Sequence, residues 1–171
     1  MPSTGTFRTL LPAPPVVLVT ARDRQNDRHD TMPAAWMMPV SVRPPLLAVS
    51  IAPGRYTHTL VEREGAFILN VPGKDLLAKV HTAGCTSGRS GDKMASLGLT
   101  GRPGDEVDTL VLDDCLAAVE CRVTAAHSSG DHTIFVAEVV AVHAKPGLDR
   151  LALLHHLGGS SYCMGGERLE V

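Results

Sequence analysis

Residues 32–52 read "MPAAWMMPVSVRPPLLAVSIA", and the way this stretch divides decides the fold. Met32 to Val42 and Leu46 to Ala52 are both apolar runs, separated only by "RPP". A short proline-containing link between two such runs reads as a connection between antiparallel neighbours. Working outward, "VVLVT" (16–20) and "AFILNV" (66–71) are β-branched or aromatic and read as strands. Leu116 to Ala126 and His132 to Ala144 alternate apolar and polar residues, and "SSGDH" between them supplies Gly130 for the positive φ of a hairpin turn. At least six strands result from this reading of the sequence.

Short helices interrupt them. Thr59 and Glu62 fit a capping pattern that opens a helix over Thr59 to Glu64, and Gly65 ends it. Lys74 to Ala83 has helical spacing with Leu76, Leu77 and Val80 on one face, and Gly84 reads as its stop. Another short helix follows "CTSGRSGDK". Arg22 to Asp30, "GRPGDEVDT" and the tail "LLHHLGGSSYCMGG" read as loops. The last third lacks the strand–helix alternation of a parallel sheet, so the expected class is mainly β, an antiparallel β-barrel with short helices.

Composition narrows the function. A chain of 171 residues suits one domain, 1–171, and a net charge of -2 leaves no basic footprint for nucleic acid. No apolar run is long enough to span a membrane, and "MPSTGTFRTLLPAPP" at the start is broken by prolines, unlike a signal peptide. The four cysteines, Cys85, Cys115, Cys121 and Cys163, lack CxxC spacing and read as free thiols. A cytoplasmic location is the expectation.

Two loops carry the chemistry. In "AVSIAPGRYTHTLVE" (48–62), Arg55, Thr57 and Thr59 stand where a strand gives way to a helix, a place whose unpaired amides and dipole favour an anion. The alternative is plain helix capping by a threonine and a solvated arginine. "CTSGRSGDK" places Ser87, Gly88, Arg89 and Lys93 in a second loop ahead of a helix. Neither GxxxxGK[ST] nor GxGxxG occurs, which leaves a small phosphate ester held by side chains and helix-start amides. Trp36, Met37 and Met38 offer a polarizable wall for a flat ring, or else ordinary core. His155, His156 and Cys163 lack convincing metal-ligand spacing, so no metal is expected.

The stretches "VVLVTARD", "MPAAWMMPVSVRPPLLAVSIAPGRYTHTLV", "FILNVP", "CTSGRSGDK", "GDHTIFVAEVVAVH" and "LLHHLGGSSYCMGG" together resemble the flavin reductase-like, FMN-binding split-barrel family, its flavoredoxin-like branch in particular, over residues 10–166. The resemblance implies a six-stranded antiparallel Greek-key FMN-binding split barrel that forms a homodimer. It implies that Arg55, Tyr56 and Thr57, with Ser87, Gly88, Arg89 and Lys93, hold the FMN phosphate, with Cys85 in the same loop. The flavin ring would lie against Ala35, Trp36, Met37 and Met38 and beside Ser50, Ile51 and Ala52. Asn70 would reach the ribityl chain or support the phosphate loop, and His155 and Tyr162 are candidates for the nicotinamide side or a lid. The implied activity is NAD(P)H-dependent flavin reduction, with FAD or riboflavin as further flavin substrates and a redox protein or monooxygenase as partner. The rival is an FMN electron carrier reduced by a partner protein. This sequence departs from the family's usual Asn-x-Met-Thr in having Asp30-Thr31-Met32-Pro33, and an acid beside the ring would lower the flavin's potential.

Overall fold

The computed structural model describes residue 7 and residues 10–166; parts of the proline-broken N-terminus and both ends of the 1–171 domain lie outside these. The fold is mainly β with short helices, in the order β1 (Val17–Asp23), β2 (Arg28–Ala34), β3 (Met37–Ser41), β4 (Leu46–Ile51), α1 (Tyr56–Glu64) and β5 (Ala66–Val71). There follow α2 (Leu77–Cys85), α3 (Lys93–Ser96), β6 (Gly101–Pro103), β7 (Leu110–Leu112), β8 (Ala117–Ser129), β9 (His132–Ala144), β10 (Leu154–Gly158) and β11 (Ser161–Met164). Seven strands form one antiparallel sheet in the order β2-β1-β5-β8-β9-β4-β3, while β6–β7 and β10–β11 are separate hairpins. Among the described residues no helix is long and apolar enough to cross a membrane.

The chain order forces this sheet to roll up. β2 and β3 are its two edges, yet Ala34 and Met37 are only three residues apart. Laid flat, seven strands would hold the edges about 29 Å apart, whereas three residues reach about 11 Å at most. The edges therefore meet at Ala35–Trp36, and no β2–β3 ladder closes the ring. This corrects the count of six strands: the apolar run from Met32 to Val42 is not one strand but the end of β2 and the whole of β3.

β1 is buried on both faces, which explains its unbroken apolar run. Val17, Val19 and Ala21 pack inward with Val49, Ile51, Phe67 and Phe135 and with Leu60 and Val61 of α1. Val16 and Leu18 pack outward beneath Val80 and Ala83 of α2 and Leu154 of β10. The tail read as a loop is a hairpin because it finds a distant partner, with Val16 N donating to Leu154 O at 2.8 Å and His156 N to Pro14 O at 3.0 Å. The segments read as loops at Arg22 to Asp30 and at "GRPGDEVDT" likewise hold the start of β2 and the strand β6, which pairs with β7 just beyond. Gly84 does not stop its helix, which runs on to Cys85; a Cβ there would lie 3.1 Å from Pro33 Cγ, so glycine lets α2 approach β2.

Asn70 on β5 is fully buried and ties the β6–β7 hairpin to the sheet. Its Nδ2 donates to Thr20 Oγ1 at 3.1 Å and Leu110 O at 3.3 Å, and its Oδ1 accepts from Leu112 N at 2.8 Å. Glu120 anchors the loop before β7 in the same way, accepting from the amides of Asp105, Glu106 and Val107 at 2.8–3.0 Å and pairing with His143 Nε2 at 2.6 Å. Burial alone would raise that carboxyl, but these hydrogen bonds hold it below the usual range. Asp105, Glu120 and His143 are the one metal-like grouping among the described residues, and Glu120 is already satisfied by these partners.

Candidate functional site

A cavity of about 980 Å³ opens where the two edges of the rolled sheet meet. Its walls come from the β2–β3 junction, β4, the start of α1, the loop after α2, the start of α3 and the tail hairpin. Non-local folding thus brings together what the sequence scatters. Ala35, Trp36, Met37, Met38, Ser50, Ile51, Ala52, Arg55, Tyr56, Thr57, Cys85, Ser87, Gly88, Lys93 and Tyr162 all line it. Asn70, Arg89 and His155 do not. Asn70 is spent on the β6–β7 hairpin, and His155 Nδ1 donates to Ala13 O at 2.9 Å. Arg89 is exposed and lies over the Tyr56 ring, its guanidinium 5.5 Å from the ring centroid.

One end of the cavity is cationic and rich in amides. α1 begins at Tyr56, not Thr59; its N-cap is Arg55, which makes no side-chain capping bond, and Thr59 is an exposed residue within the helix. The capping-box reading does not hold: the helix starts about one turn earlier, at residues that line the cavity, and has no side-chain cap. Opposite them, Ser87 turns the chain by accepting from Arg89 N at 3.3 Å, and Asp92 caps α3 through Ala95 N at 3.0 Å. Arg28 Nη2 grips Gly88 O at 2.7 Å, fixing this loop to β2.

Between the two loops lie three buried polar groups: Thr57, Asp30 and Lys93. Thr57 Oγ1 donates to Asp30 Oδ2, while Asp30 Oδ1 has no hydrogen-bond partner. Burial pushes the Asp30 carboxyl up, against the Thr57 hydrogen bond and the charges of Lys93 and Arg28. Burial likewise pushes the Lys93 ammonium down, opposed by Asp30. Gly88 is packed so closely here that a Cβ would fall 2.1 Å from Asp30 Oδ1.

The other end is flat and apolar. Trp36 O accepts from Ser50 N at 2.8 Å, joining the β2–β3 junction to β4, and the indole stands 4.7 Å from the His132 ring. The rim adds His81, Cys85, His156 and Tyr162, with Cys85 Sγ 3.9 Å from His81 Nε2 and Tyr162 5.2 Å from His156 between ring centroids. Burial raises the Tyr162 hydroxyl above its ordinary value. His81, His132 and His156 are not among the flavin-site residues expected from the sequence, although His132 and His156 lie within family-like stretches; only the rolled sheet and the tail hairpin bring the three to one cavity. Asp30 carried a signal only as a departure from a family pattern, and the structure places it among the cationic loops instead of beside Trp36. It lies about five residues up the chain from the Ala35–Trp36 wall, roughly 16 Å of extended chain.

Comparison with known proteins gives the same fold and a name for the family. Residues 11–163 match the flavin reductase like domain. A solved FMN-binding protein from Thermus thermophilus superposes with a TM-score of 0.87 at 28% identity, covering 100% of this chain and 95% of that one. Flavoredoxin of Desulfovibrio vulgaris (Miyazaki F) superposes with a TM-score of 0.87 at 30% identity, covering 100% and 97%. The NADH:riboflavin 5'-phosphate oxidoreductase of Streptomyces pristinaespiralis is 31% identical over 143 residues, 80% of this chain and 76% of that protein.

Proposed function

The chain belongs to the flavin reductase-like family, and on that premise we propose that its cavity binds FMN and that the protein is a flavin oxidoreductase drawing hydride from NADH or NADPH. One observation carries the reading. A single cavity joins an end built from Arg55, Lys93 and the start of α1 to a flat wall of Trp36, Met37 and Ile51. That pairing suits a molecule with a phosphate at one end and a planar ring at the other. The close-packed Gly88 and the unpartnered Asp30 Oδ1 mark the phosphate end as a tight polar cradle.

When bound, FMN supplies the hydride-accepting chemistry. The chain's own residues bind, orient and shield. Arg55 and Lys93 offset the phosphate charge, and Tyr56 is held in place by donating to Asp23 Oδ2 at 2.6 Å. Trp36, Met38 and Ser50 set the plane of the ring, and His81, His156 and Tyr162 border the opening through which a nicotinamide would arrive. No acid–base residue is required for hydride transfer, so His155 and Tyr162 have no assigned proton role. Met38 and Val40 on the edge strand β3, with Val42 just beyond it, are exposed and support a homodimer.

Arg55→Ala should weaken FMN binding by about 10- to 100-fold through loss of a charge-assisted contact. Flavin fluorescence titration measures it, and unchanged affinity would take Arg55 out of the site.

The similarity to flavoredoxin favours a second reading, an FMN electron carrier reduced by a partner protein. An anaerobic visible spectrum of the FMN-loaded protein separates the two. Rapid bleaching by NADH or NADPH supports the reductase. A flavin band that resists both nucleotides but yields to dithionite supports the carrier.

A further inference from the structure

Asp30 is the sole carboxylate among the described residues lining the cavity, and it stands inside the cationic end. An ionised carboxylate beside a phosphate dianion in a buried site is strongly repulsive. Its two oxygens are differently placed. Oδ2 already accepts from the Thr57 hydroxyl, whereas Oδ1 is buried, has no partner and packs against Gly88 in the opposing loop. A carboxylic acid with one oxygen accepting and the other carrying the proton matches that asymmetry.

We propose that Asp30 is the proton-carrying group of the phosphate end: with FMN bound, its carboxyl is held neutral beside the phosphate, so that binding takes up one proton from solvent. This rests on the FMN reading above and deepens it. The site then reads the protonation state as well as the charge of its ligand, and it loses affinity as pH rises.

The groups facing Asp30 set the sign. Lys93 from α3 and Arg28 from β2 attract its ionised form, with Arg55 ahead of α1 adding its charge at Lys93, and Thr57 hydrogen-bonds it. Tyr56 from α1 closes the packing around Gly88 and is bonded to Asp23. In the free site, burial outweighs these and raises the carboxyl above its ordinary value; an incoming dianion raises it further. Between those two values the affinity for FMN should fall about tenfold per pH unit. The ligand's own titration runs the other way, because its phosphate gains its second charge near pH 6 and a cationic clamp prefers the dianion. Lys93 would mimic the proposed direction if it lost its proton, so the variant matters.

The test is calorimetric titration of FMN into the protein, in two buffers of different protonation enthalpy, from about pH 5 to about pH 8, with wild type and Asp30→Asn side by side. Above about pH 7, where the phosphate is already a dianion, the wild type should take up close to one proton per FMN and weaken with rising pH. Asp30→Asn should take up none, and its affinity should hold steady or improve. Riboflavin, which lacks the phosphate, should bind without proton uptake in either protein. Wild-type binding without proton uptake overturns the proposal, and this result needs no variant. Equal uptake in Asp30→Asn also overturns it and assigns the proton to another group of the cavity. Absence of saturable FMN binding by the wild type at every pH is a distinct result, which removes the FMN reading itself.

Discussion

Gly88→Ala should lower FMN affinity by about 100-fold and leave the protein folded. The added Cβ would sit 2.1 Å from Asp30 Oδ1, 2.7 Å from its Cγ and 3.1 Å from Tyr56 Cδ1. Neither neighbour has room to retreat. Asp30 is 2% exposed on β2 and bonded to Thr57, and Tyr56 is tethered to Asp23. The loop must move instead. That movement takes Ser87 away from the start of α1 and breaks the grip of Arg28 on Gly88 O. Because the loop is a surface segment beside the cavity, the cost falls on the ligand and much less on the core. Fluorescence titration with a parallel thermal melt measures both; wild-type affinity in the alanine variant would show that this loop does not hold the phosphate.

The largest effect on stability is expected at the far end of β1. Asp23→Ala should destabilise the protein by about 3 kcal/mol, a loss of roughly 10 °C in melting temperature. The Asp23 carboxylate is fully buried. It accepts from Tyr56 Oη at 2.6 Å, Asn26 Nδ2 at 2.8 Å, Arg28 Nε at 3.2 Å and Arg63 Nη2 at 3.3 Å, so it joins β1 to β2 and to both ends of α1. Removing it leaves two guanidiniums facing a vacated site, though each is partly open to water, which limits the loss. Burial alone would raise this carboxyl, but the hydrogen bonds from Tyr56, Asn26, Arg28 and Arg63 hold it far below the usual carboxylate range. Its contribution is therefore complete above the ordinary carboxylate pKa and drains away as pH falls below about 4. Acid unfolding followed by circular dichroism checks this: wild type should lose stability relative to Asp23→Ala only in that acidic range. Parallel curves throughout would contradict it.

The elements legible in the sequence are those whose partners lie close by or whose pattern is unambiguous. β4, β5, β8 and β9 showed themselves through β-branched runs and a glycine turn, and β3 and β4 through their short proline link. β2 hid because its polar residues look like a loop, although Asp30 and Thr31 are buried, with Asp30 partnered by α1 from 27 residues away. The tail hairpin hid for a similar reason: its glycines suggest a loop, and only contact with the chain at Pro14 to Val16 makes it a strand pair. The start of α1 was misplaced because Thr59 and Glu62 imitate a cap, while the actual cap, Arg55, makes none of the bonds by which caps are recognised. Both loops of the candidate site were visible as clusters of Arg, Lys, Ser and Gly. That both serve one phosphate follows from the resemblance; the buried carboxylate between them was hidden, because its place depends on the sheet rolling until β2 meets α1 and α3.

The central claim is that this cavity holds FMN by its phosphate. Equilibrium titration of the purified protein with FMN and, in parallel, with riboflavin tests it most directly. One FMN per chain, bound at least about tenfold more tightly than riboflavin, is the expected result. Equal affinities for the two flavins, or no saturable binding of FMN, would contradict the account.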